Sequence, residues 1–207
     1  MVISSSSPAV AARCAHVRAG VGAVASQNIT DPALGPLLLD VMERGKPALK
    51  ALADVTAGRA FIDYRQLLAV DREGGIAIHS GSKVLGVWSD ARGTDCAAGG
   101  NLLADEGVPS AMAAAFAASA GHLGDRLMAA LEAGLDKGGE AGPVHSAGLK
   151  IADRLSWPLV DLRIDWSSQP IQDLRAAWDV YRPQMAAYVQ RAENPTQAPT
   201  YGVPGNE

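Results

Sequence analysis

Two hydrophobic rhythms alternate along the chain. Short runs of small and β-branched residues read as strands, and apolar stripes at spacing three and four read as helices. Val2 to Ser6 predicts a short strand. Val17 to Gln27 predicts a second, with Gly20 and Gly22 inside it as close-approach positions. Thr30-Asp31-Pro32 opens a helix, a capping side chain followed by proline in the first turn. Leu34, Leu37, Leu38 and Val41 give that helix one apolar stripe, and Gly45 stops it. Pro47 starts a shorter helix carrying Leu49, Leu52 and Val55.

Arg65 to Asp71 and Gly75 to Ser80 predict a hairpin turned at Arg72-Glu73-Gly74, and Asp95 to Leu102 a further strand. Asp105 to Ala120 and Leu123 to Ala133 predict a helix pair, with Gly134 as the cap of the second. Val144 to Ala152 and Leu159 to Trp166 predict a closing strand pair. Ile171, Leu174, Trp178, Tyr181, Met185 and Tyr188 form a last helical stripe, which Pro183 should kink or split. Strands linked by hairpins, with helices delivered in pairs, predict an α+β fold of mainly antiparallel sheets covered by helical layers. No βαβ rhythm and no Gly-rich dinucleotide fingerprint is present. Residues 1–192 are expected to form one domain, and the Pro-rich stretch 193–207 a loop-like tail.

Composition narrows the function classes. The formal net charge is −4 with no basic stripe, so no nucleic-acid partner is expected. No apolar run reaches the length of a membrane span, and the N-terminal residues lack the pattern of a signal peptide. With Cys14 and Cys96 far apart and read as reduced thiols, the expected location is the cytoplasm. The four histidines, His16, His79, His122 and His145, have no metal-ligand spacing, so neither a metal nor a cofactor is expected. The partner this surface suits is a small-molecule substrate.

Several segments taken together resemble a bacterial family known as domain of unknown function ten-twenty-eight. They are Ser4-Ser-Ser-Ser-Pro-Ala-Val10, Arg18-Ala-Gly-Val-Gly-Ala-Val-Ala-Ser-Gln27, His79-Ser-Gly81, Gly100-Asn-Leu-Leu-Ala104 and Gly138-Gly-Glu-Ala-Gly-Pro-Val-His-Ser-Ala147. The tail Ala198-Pro-Thr-Tyr-Gly-Val-Pro-Gly205 resembles one branch of it. The resemblance implies a fold like that of the N-terminal-nucleophile (Ntn) hydrolases, a four-layer αββα sandwich of two mainly antiparallel sheets. It implies no substrate. Members of the family usually begin with a Thr-Phe-Ser-Ile-type strand and a tight turn, whereas here Met1 directly precedes Val2-Ile3-Ser4. The expectation is that this first strand, and the nucleophile it would carry, are lacking. The strand at Val2 to Ser6 should then have a vacant edge, which favours a homo-oligomer.

An enzyme of that class uses Thr, Ser or Cys at a free N-terminus, with the α-amine as base. Ser4 and Ser5 lie near the terminus and read either as substrate-binding hydroxyls or as parts of a small-residue strand. His79, at a strand end, is a candidate proton carrier or a half-exposed surface histidine. Asn101, after two glycines, is a candidate oxyanion donor or a turn residue. Glu140 and His145 share one loop and are either an acid/base pair or solvated charges. In the resembling family Asp is commoner at Glu140 and Gln at His145. Ser146 and Gln27 are candidate substrate contacts, or a strand hydroxyl and a sheet cap. Two functions follow. One is an Ntn-type amidohydrolase acting on a small amide or amino-acid conjugate, inactive or nearly so as the chain is written. The other is a non-catalytic small-molecule-binding or oligomer-forming protein of the same fold.

Overall fold

In a computed structural model, described here for residues 1–203, the chain is a mixed α+β protein with three antiparallel sheets. β1 (Val2–Ser5), β8 (Ser146–Ile151) and β9 (Val160–Ile164) form one sheet in the order β1-β8-β9. β2 (Ala15–Arg18), β3 (Gly22–Asn28), β4 (Arg65–Asp71) and β5 (Ile76–Ser80) form a second, in chain order. β6 (Ser89–Gly93) and β7 (Cys96–Gly100) make a separate hairpin.

Strand alternation decides what each face of the second sheet meets. Val24, Leu67 and Ala69 point to one face, where α2 (Leu34–Glu43) and α3 (Ala48–Thr56) cover them. On the three-stranded sheet, Ala147, Leu149, Ile151 and Val160 pack under α5 (Leu123–Asp136) and α6 (Pro170–Tyr181). Trp178 of α6 is fully buried there, with its Nε1 donating to Asp125 Oδ1 at 2.9 Å. α4 (Val108–Ala118) packs on α5 and on the β6–β7 hairpin. No described helix is long and apolar enough to cross a membrane.

Two expectations need correction. The single strand over Val17 to Gln27 is a hairpin, β2 and β3. Gly20 lies in its turn at φ 67°, and Gly22 at φ 153° sits where a Cβ would come within 2.3 Å of Val70 O. Gly20 serves the turn, and Gly22 opens β3 where it runs tight against the backbone of its sheet neighbour β4. Gly134 does not cap α5: it lies inside the helix, where a Cβ would meet Met112 Cγ of α4 at 2.8 Å. The cap is Gly138-Gly139, both at positive φ, with Gly139 N–H donating to Gly134 O at 2.9 Å. The polar strand β6 and the five-residue helix α1 (Val10–Cys14) carry no periodic signal and were not expected. The tail includes a 3₁₀ turn at Pro195–Gln197, and Arg191 of α7 (Met185–Glu193) stacks on Tyr201 at 3.6 Å; Pro204 and Gly205 lie outside the described residues. Pro183 splits the last helix as expected: α6 ends at Tyr181, a 3₁₀ turn spans Arg182–Gln184, and α7 follows.

Candidate functional site

The second face of the β3–β4 pair does not meet a helix. Ala23, Ala25 and Gln27 of β3, with Leu68 and Val70 of β4, line a cavity of about 500 Å³. Residues Met1 to Ser7 form a second wall, the end of β7 a third, and α4 and α5 close the far side through Met112, Phe116, Leu127 and Leu131. Its interior is mainly apolar. Its charged lining is confined to Arg13, Asp95 and Glu140.

Of the residues singled out from sequence, Ser4, Ser5, Gln27, Asn101 and Glu140 line this one cavity. Register explains Gln27. It lies opposite Gln66 on the neighbouring strand, and the two side chains form a buried amide ladder. Gln27 Nε2 donates to Gln66 Oε1 at 2.8 Å and to Gly99 O at 3.1 Å. Gln66, fully buried, donates from its Nε2 to Gly100 O at 3.2 Å and Ser80 Oγ at 3.1 Å. These bonds tie β7 to the second sheet and set the position of Asn101, the next residue. Among the described residues, the Asn101 amide, Ser4 Oγ and Gln27 Oε1 have no side-chain hydrogen-bond partner. Leu102, beside Asn101, holds φ 53° at the cavity mouth.

Glu140 is anchored across the cavity wall. Its carboxylate accepts from Ser6 N–H at 2.8 Å and from Ser6 Oγ at 2.7 Å. Ser5 Oγ accepts from Ser7 N–H at 3.1 Å, a local turn bond. Cys14 and Cys96 also line the cavity, and burial pushes both thiols above their ordinary range, away from the reactive thiolate.

Three candidates lie elsewhere. His79 pairs with Leu67 in the β4–β5 register, which sets it on the face covered by helices, and its Nε2 meets Ile62 O at 3.2 Å. His145 stacks on Trp166 at 4.3 Å, with Nδ1 3.1 Å from Ser167 O. It makes no hydrogen bond to Glu140, whose carboxylate goes to Ser6. Ser146 is fully buried: its Oγ donates to Ser7 O at 2.6 Å and accepts from Val10 N–H at 3.1 Å, locking the turn into α1. Among the described residues no histidine lines the cavity. Sequence reasoning missed Ser6 and Gln66. Ser6 lay in a run of four like residues, and a glutamine inside an apolar strand shows nothing by itself of the ladder it joins.

An α+β protein of antiparallel sheets, with a largely apolar cavity between a strand edge and a helix pair, is the class the fold and site define. The chain belongs to the family described as "Family of unknown function (DUF1028)", whose profile matches residues 1–174. Its structure is similar to the crystal structure of protein SPO2555 from Silicibacter pomeroyi, of the same family. The TM-score is 0.84 at 28% identity, over 92% of this chain and 83% of that one. No curated protein matches the chain.

Proposed function

We propose that the cavity beside β1 is the substrate site of an amidohydrolase of the Ntn type, acting on a small amide or amino-acid conjugate. The observation that carries this reading is the convergence of Ser4, Gln27 and Asn101, with unused hydrogen-bonding capacity, on one mostly apolar cavity. An amide group has one donor and one acceptor. Gln27 Oε1 suits its N–H and the Asn101 amide suits its carbonyl oxygen, where charge would build during attack. Glu140, oriented by Ser6, places a carboxyl group in the same cavity lining. Helices α2 and α3 on one sheet and α5 and α6 on the other support the sandwich reading of the fold.

Hydrolysis also needs a nucleophile and a base matched to neutral pH. No described histidine lines the cavity with its hydroxyls, since His145, whose N–H donates to Ser5 O at 2.8 Å, turns its ring to Ser167 O and Trp166, and burial raises the thiols above their ordinary range. That observation favours the second reading, a binding protein without turnover, for the chain as written. The test compares turnover of a panel of small amides by three proteins. These are this chain, a form extended at its N-terminus by a Thr-led strand of the kind seen in the family, and the same form with that Thr changed to Ala. Turnover by the extended form alone supports the amidohydrolase. Binding without turnover by all three supports the second reading. Equal, fast turnover by all three refutes the assignment of the nucleophile to an N-terminal residue.

A further inference from the structure

A second cavity, of about 230 Å³, lies between β2, α2 and Lys150 of β8, and shares no lining residue with the first. Strand alternation sends Lys150 into it. Ala147, Leu149 and Ile151 of β8 pack under helices, so Lys150 points the other way, toward β2. Its side chain is only 12% exposed, and its acidic partner, Asp161 Oδ2, is 3.7 Å away, beyond hydrogen-bond reach. That carboxylate is already taken by Arg163, at 2.8 and 2.6 Å. Burial holds the Lys150 amine below the ordinary lysine range, and the Asp161 charge offsets this only in part. An ammonium ion this sheltered, with its acid bound elsewhere, is poorly compensated. Two further donors border the same space. Asp71 N–H donates to Gly75 O, so it is turned toward β5. Alternation then turns Val70 toward Ala23 and Val24 toward His16, which leaves the N–H and C=O of Val17 turned away from β3. β2 is the edge of its sheet, Val17 lines the cavity, and among the described residues its N–H has no partner. Arg18 gives Nη1 to both Asp40 and Glu43, at 2.8 Å each, and keeps Nε and Nη2 without a partner among the described residues.

We propose that this second cavity binds a small carboxylate ion with a short apolar body. The site is separate from the cavity beside β1 and does not rest on the function proposed for it. The lining decides the chemistry. Its charged groups are Lys150 and Arg18, and no acid is among the lining residues. His16 completes the wall as a neutral ring: burial, with the Lys150 charge adding to it, pushes its imidazole below the ordinary range. Lys150 supplies a full charge, while the spare guanidinium edge of Arg18 and the Val17 N–H supply directed donors, a set that matches the two oxygens of a carboxylate. Ala15, Pro36, Leu39 and Pro158 make the rest of the wall apolar. They suit a hydrocarbon body and would leave the further oxygens of a phosphate unmatched. At about 30 Å³ for each water-sized group, the cavity takes about eight non-hydrogen atoms. The bound anion gives Lys150 the counter-charge that Asp161, held by Arg163, does not.

The experiment titrates the isotope-labelled full chain with sodium isovalerate at fixed pH and ionic strength, and reads backbone amide shifts by NMR. Isovaleramide, which has the same body without the charge, and inorganic phosphate are the comparison probes. Expected are saturable shifts centred on the Val17 and Arg18 amides with isovalerate, and affinities weaker by about tenfold or more for the amide and for phosphate. Lys150→Met should also weaken isovalerate by about tenfold or more, and it should fold, because an apolar side chain of similar length replaces a poorly compensated charge. If that variant does not fold, the contrast between acid and amide still decides. Equal affinity for isovalerate and isovaleramide overturns the proposal, as does unchanged affinity in Lys150→Met. Phosphate binding as tightly as isovalerate shows a site for oxyanions at large and overturns the carboxylate. Shifts that spread over the surface without saturating show an adventitious ion only and overturn it too. Saturable shifts confined to Gln27 and Asn101 place the ligand in the first cavity and overturn the second as its site.

Discussion

Replacing Gln66 by leucine isolates what holds the cavity wall. Leucine is close in size and keeps the apolar contacts of a fully buried position, so the change is mainly the loss of polar bonds. Three are lost: to Ser80 Oγ, to Gly100 O and from Gln27 Nε2. At about 1 kcal/mol each, the bonds sum to about 3 kcal/mol. The Gly100 carbonyl, stranded beside an apolar side chain, adds about 1 kcal/mol, and the easier desolvation of leucine offsets a similar amount. The expected cost is therefore about 3 kcal/mol, a large part of the stability of a typical domain. Urea unfolding followed by tryptophan fluorescence measures it as a lower midpoint at unchanged slope. Gln27 would keep its bond to Gly99 O, so a Gln27→Leu change on top of Gln66→Leu should add less than it costs alone. A Gln66→Leu cost below about 0.5 kcal/mol would refute the reasoning, because the ladder would then be exchanging its bonds for water at no loss.

Other perturbations test the remaining contacts. Glu140→Ala removes both acceptors of Ser6 and should cost about 2–3 kcal/mol in thermal or chemical denaturation, whereas Glu140→Gln keeps an acceptor and should cost about 1 kcal/mol. Ser146→Ala should cost about 2 kcal/mol by freeing Ser7 O and Val10 N–H; a loss of ligand affinity at full stability would instead make Ser146 a binding residue. Burial pushes the His16 imidazole below its ordinary 6.5. The unfolded chain therefore takes up the proton first, so this contribution to stability is complete above that value and is lost as pH falls through it toward the folded-state value. His16→Asn should flatten that part of the acid limb in denaturation midpoints measured against pH, and an unchanged limb would count against it.

Much of the fold was legible because its period is strong. The β4 boundaries are those read from alternation, and the α2 and α6 stripes lie in the two buried cores, as do Leu52 and Val55 of α3 and Leu127 and Leu131 of α5, while Leu49 and Leu123, expected on those stripes, are exposed. The failures have local causes. Gly20 and Gly22 sit in a sequence that reads as continuous strand, and only the close approach of the Val70 carbonyl on the paired strand β4 shows why Gly22 has no room for a side chain. β6 alternates Ser, Asp, Ala, Arg and Gly, and its pairing with β7 through the Thr94-Asp95 turn is the sole reason it is a strand. Gly134 followed a good helical stripe and so resembled a cap, but it sits where a larger residue would have to displace the Met112 side chain of α4.

The same logic of faces explains which site candidates converge. A strand sends neighbours to opposite sides, so a strand-end position in sequence leaves the side undetermined until a register is known. His79 is paired with Leu67, and Leu67 belongs to the helix-covered face; Leu68, one residue on, lines the cavity. Even the β5 residues on the other face, Ile78 opposite Leu68 and Ser80 opposite Gln66, stop short of the cavity lining, so β5 contributes no base to it. Gln27 is paired with Gln66, on the cavity side, and so joins the site. Ser6 and Glu140 meet across 134 positions of sequence, a pairing no local pattern announces.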